Sequence, residues 1–127
     1  MIATRSLQAA SATVEAGTGL ALLTFPKTAI RLLLGADLRD TGVVTSRVCG
    51  LALLCLGLAC RPDKRAPQRE ASTRAVRVLL GYNALAAAYL AQLRASGRYR
   101  GIALVPAIVL HAVFAGLFAG RARRARS

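Results

Sequence analysis

Residues 101–120 read GIALVPAIVLHAVFAGLFAG. Twenty positions pass without a charged side chain, and about twenty mostly apolar residues are what an α-helix needs to cross the hydrocarbon core of a bilayer. A surface helix of a soluble protein would carry a polar stripe along one face. Here the only strongly polar side chain is His111, set among small and branched apolar residues. The stretch reads as a membrane span, and the rest of the chain is read outward from it.

Three more stretches have comparable length and character, residues 75–93, 43–60 and 7–25. The last is the most polar, with Gln8, Ser11, Thr13, Glu15, Thr18 and Thr24. Its insertion is expected to be assisted by the second stretch, entering as a hairpin partner. It is not a secretory signal, because Glu15 interrupts the apolar run and no small-residue cleavage site follows. Pro26 ends it by withholding a backbone donor. Between 27 and 38, KTAIRLLLGADL sets Ile30, Leu33 and Leu34 on one side and Lys27 and Arg31 toward headgroups, which predicts a short interfacial helix capped by Gly35. Residues 61–73, RPDKRAPQREAST, hold two prolines and six charges and read as a solvated loop between two hairpins, extending to residue 74. The expected fold is one all-α domain over residues 1–127: an integral membrane four-helix bundle of two hairpins, with a basic tail at 121–127.

Composition agrees with this class. The chain of 127 residues is 55% apolar with a mean hydropathy of +0.48, above an ordinary soluble domain. A net charge of +13 would point a soluble protein toward nucleic acid. The cations lie between or just beyond the apolar stretches, and no nucleic-acid-binding signature accompanies them, so anionic lipid headgroups are the expected partner. Eleven Lys and Arg fall on the face that carries the N-terminus and six on the other, which predicts both termini cytoplasmic. Sixteen arginines against two lysines, among abundant Ala, Leu and Gly, suggest a GC-rich bacterial coding sequence and hence an inner membrane.

Each apolar stretch carries one strongly polar residue: Glu15, Arg47, Asn83 and His111. Such groups are costly in lipid, and they usually face a bundle interior. Helical rise places Glu15, Asn83 and His111 within roughly 3 Å of one plane, and Arg47 about 7 Å toward the non-cytoplasmic side. On the first span Gln8, Ser11, Glu15, Thr18 and Gly19 share a face; on the second Arg47, Gly50, Leu54 and Gly57; on the third Asn83, Ala87 and Leu90; on the fourth Ile108, His111 and Ala115. Two roles suit this cluster. Arg47 could neutralise Glu15 in a buried ion pair that fixes helix register, or Glu15 with His111 could bind a proton, a cation or a polar headgroup.

Other chemistry finds no support in the sequence. One histidine cannot complete bis-His haem ligation, and no GxSxG, HExxH or phosphate-binding glycine loop is present. No catalytic residue, metal or cofactor is therefore predicted. Cys49, Cys55 and Cys60 form no CxxC pair and read as small buried hydrophobes, with Cys60 at the membrane edge beside Arg61. The pentapeptide GLALL recurs at 19–23 and 50–54; the helices run in opposite directions and their flanks differ, so it is read as coincidence. Gly116 and Gly120 form a GxxxG pair.

An arginine opening a glycine-spaced helix, Arg47 with Gly50 and Gly57 in SRVCGLALLCLG, together with the four-span layout, resembles the small bacterial DoxX-like membrane proteins. That resemblance implies a partner-dependent redox or anchoring role, with Arg47 the residue carried across. The functional expectation is a non-catalytic accessory or interaction subunit of a membrane complex, as a homo-oligomer or beside a partner subunit. Its alternatives are a minimal proton- or cation-handling transporter or channel subunit and a quinone-linked redox subunit with the quinone near His111 and Tyr82.

Overall fold

The computed structural model describes residues 3–62 and 70–124. They form five helices and no strand: α1 (Thr4–Thr24), α2 (Pro26–Leu34), α3 (Asp40–Ala59), α4 (Glu70–Ala95) and α5 (Leu104–Arg124). Three of these, α3, α5 and the Thr73–Ala95 part of α4, are long and apolar enough to cross a membrane. α1 matches them in length and is more polar. Pro26 stands in the first turn of α2, where a missing N–H leaves no partner unsatisfied. A short helix is present where one was expected, ending at Leu34 with Gly35 in the left-handed conformation at φ +69°.

α1 packs along α3, α4 packs along α5, and α1 also touches α4 and α5. α3 therefore lies on the flank, and α1 between the two groups. Burial follows: α1 buries Leu7, Gln8, Ser11, Ala12, Glu15, Gly19 and Leu22, whereas α3 buries only Ser46, Gly50 and Gly57. Enclosing α1 sets its polar side chains against other helices. The uncovered face of α3 carries Val44, Val48, Leu51 and Leu58.

Glycine brings α1 and α3 together. A Cβ on Gly19 would lie 2.6 Å from the Gly50 oxygen and 2.6 Å from the Leu54 nitrogen; one on Gly50 would lie 2.7 Å from the Gly19 oxygen and 3.0 Å from the Leu23 nitrogen. The contact is reciprocal, so the two GLALL pentapeptides cross each other antiparallel, and their recurrence is used by the fold. Lower on the same seam a Cβ on Gly57 would meet the Ala12 oxygen at 2.6 Å.

At one end of the molecule Leu7, Cys60, Val76, Leu79, Phe114 and Phe118 form the apolar core, with the two phenylalanine rings 6.3 Å apart. There Arg121 donates to the Thr4 hydroxyl at 2.9 Å, so α1 begins where α5 ends. At the opposite end the hairpins join through main chain. The Arg100 N–H donates to the Leu34 oxygen at 3.1 Å and the Ala103 N–H to the Leu32 oxygen at 2.8 Å, satisfying carbonyls that the end of α2 leaves open.

This junction explains one difference from the sequence reading: residues 101–103, expected inside the fourth span, are held as a connector, and α5 begins at Leu104. Two further differences concern the basic segments. α4 begins at Glu70, within the expected loop of 61–74, and α5 runs on to Arg124, into the expected tail. The remainder of that loop, 63–69, and of that tail, 125–127, lies outside the described residues. Cys60 is buried as expected, whereas Cys49 and Cys55 are exposed. The cause is the flank position of α3, whose outward face no described residue covers.

Candidate functional site

The interior polar cluster is built by α1, α4 and α5. Ser11 and Glu15 stand one turn apart on the enclosed face of α1 and are 0% and 1% exposed. Asn83 continues the buried stripe of Val76 and Leu79 on α4 and is likewise fully enclosed. His111 projects from α5, its side chain 12% exposed.

The hydrogen bonds fix the orientation of each group. The Asn83 amide nitrogen Nδ2 donates to the Leu79 carbonyl at 2.8 Å and to Ser11 Oγ at 3.3 Å. A carbonyl can only accept, so the atom facing it is the amide nitrogen, and Asn83 Oδ1 is left as an acceptor. His111 Nδ1 stands 2.8 Å from that oxygen, which places a proton on Nδ1. The ring of Tyr82 meets the imidazole edge to face at 5.7 Å between centroids. Three helices are thus joined through Asn83.

Glu15 sits beside this network without completing it. Its Oε1 is buried and accepts no hydrogen bond, while His111 Nδ1 lies 4.0 Å away, roughly 1 Å beyond bonding length. An enclosed acceptor without a donor costs about 1–3 kcal/mol, and more when it is charged. The cluster can relieve this by a proton on Glu15 or by a proton gained at His111, which sets a cation 4.0 Å from the carboxylate.

Arg47 is not in the cluster. It is exposed, and it forms no ion pair among the described residues. The inward stripe of α3 runs through Ser46, Gly50 and Gly57, so Arg47, one residue on from Ser46, is turned about 100° away. Height separates it as well: Gly57 meets Ala12 and Ala16, on either side of Glu15, and Arg47 stands about 15 Å along α3 from Gly57. The expected Glu15–Arg47 pair is therefore replaced by Glu15 facing His111. Thr18, expected on the interior stripe of α1, is exposed.

Ser11 and Tyr82 join the cluster as partners, the first expected on the Glu15 face of its helix and the second near His111. The i, i+4 spacing of Ser11 and Glu15 is the available signal for the first, and the placement of Tyr82 directly before Asn83 for the second. Among the described residues no group of three or more His, Cys, Asp or Glu is placed to hold a metal ion. Comparisons of the chain with protein-family models, curated proteins and solved structures returned no match.

Proposed function

We propose that this chain is a small, non-catalytic multi-pass protein of a bacterial inner membrane, with α1 as a fourth span and both termini cytoplasmic, in which Glu15 and His111 handle a proton. The observation that carries the reading is the enclosed Glu15 Oε1, donorless and 4.0 Å from His111 Nδ1. A proton accepted at His111 Nε2 gives an imidazolium; its Nδ1–H, held by Asn83 Oδ1 in the neutral ring, then turns to the donorless Glu15 Oε1, and its transfer leaves a neutral carboxyl and an imidazole protonated at Nε2. The imidazole is the less enclosed of the two groups, so it is the entry point. That entry opens on the side of a narrow bundle, which favours work beside a partner subunit or a second copy.

Proteoliposomes carrying a pH gradient test this. The expected result is protein-dependent dissipation that falls at least tenfold in Glu15→Gln and His111→Ala. Flux indifferent to both substitutions, or equal to that of empty vesicles, would remove the reading.

A second reading, an interaction subunit without proton handling, draws on one observation. The GxxxG pair Gly116 and Gly120 has nothing within 4 Å of where a Cβ would stand on either glycine, so this close-packing motif is unused among the described residues. Extraction in mild detergent followed by sizing should then recover a complex or oligomer, whereas a lone chain would argue against it.

A further inference from the structure

A groove of about 600 Å³ runs along the outer seam of α1 and α3, lined by Ala9, Thr13 and Gly17 on one side and Leu54 and Leu58 on the other, with Arg61 at its mouth. We infer that it is a binding site for one anionic glycerophospholipid, acyl chain in the groove and phosphate at Arg61 and Arg5.

Shape supports this occupant. From Ala9 to Leu20, both lining residues, α1 rises about 16 Å, close to half of a hydrocarbon core of roughly 30 Å. The groove is thus one leaflet deep. Its walls are apolar or internally satisfied, since the Thr13 hydroxyl donates to the Ala9 carbonyl at 2.8 Å. Gly17 leaves open space in the floor, where a Cβ would find no atom within 4 Å.

Charge supports it too. Arg61 is exposed at the end of α3, and Arg5, also exposed, lies one turn before Ala9 on the same face of α1. Both cations therefore meet the headgroup layer at the end where the groove opens. A second copy is a poorer occupant. A closed pair in a membrane needs its two-fold axis along the bilayer normal, which would gather Arg5 and Arg61 of both copies at one end of a low-dielectric seam. A phosphate removes that repulsion. The inference is independent of proton handling, because Glu15 and His111 line no part of the groove.

The test uses the purified full-length protein in mixed micelles containing equal phosphatidylglycerol and phosphatidylcholine with matched chains, and native mass spectrometry to count retained lipids. The expected result is retained phosphatidylglycerol, its preference over phosphatidylcholine falling roughly fivefold for Arg61→Gln or Arg5→Gln. Gly17→Leu, which fills open space, is expected to abolish retention, while Gly81→Leu on α4, where a Cβ also meets nothing within 4 Å, leaves it unchanged. Equal retention of the two lipids, or a preference untouched by the arginine substitutions, would overturn the inference. So would a dimer that Gly17→Leu converts to a monomer, since the groove would then hold a second copy.

Discussion

At the scale of single residues the molecule turns on Asn83, which holds α1 through Ser11, its own helix through Leu79 and α5 through His111. Replacing it by Leu removes three bonds and strands the His111 Nδ1–H. The expected loss is about 1–2 kcal/mol, since polar contacts between membrane helices average near 0.6 kcal/mol each; thermal unfolding in detergent measures it. Glu15→Gln should behave differently. It keeps the shape and removes a group that can carry charge in a site without a cation, so stability is expected to stay within about 1 kcal/mol even as proton flux fails. A stability loss as large as that of Asn83→Leu would show instead that the carboxylate is a structural support. Glu15, Asn83 and His111 are legible in the sequence because each is a single polar residue at a similar depth. Arg47 is not legible in the same way: stripe spacing alone does not separate it from its inward neighbour Ser46, one position away.

At the scale of elements, the seam of α1 and α3 depends on glycines 19, 50 and 57. Gly50→Ala puts a methyl against the Gly19 carbonyl, and overpacking of this kind costs roughly 1–3 kcal/mol. Gly17→Ala, one face away and with open space around it, should cost nothing comparable and improve helix propensity. Parallel melting curves of the two variants check the contrast. The positions of the helices can be read from apolar run length, and the cap at Gly35 from its place after Leu34. The partnership of the helices cannot. Nothing in local composition says that α3 takes the flank and α1 the interior, because that choice depends on which polar faces must be hidden once all helices are present. For the same reason nothing near Cys49 and Cys55 signals that they face outward.

At the scale of the whole molecule, the bond from Arg121 to Thr4 brings the first and last helices to the same end. If α1 spans as proposed, reporters fused at either terminus should both report the cytoplasm and a reporter placed after Gly97 the opposite side; termini on opposite faces would show that α1 does not cross. The far end of the bundle has a property of another kind. Its ties, Arg100 to Leu34 and Ala103 to Leu32, run from main chain to main chain, and Gly101 rests directly on the Leu33 backbone. An alanine scan would therefore pass over this junction at almost every position and report a dispensable loop. A change to the backbone or to the room it has, a proline at 100 or 103 or any side chain at 35 or 101, would unfasten it, so tolerance to substitution elsewhere there measures how little the side chains matter and not how little the junction does.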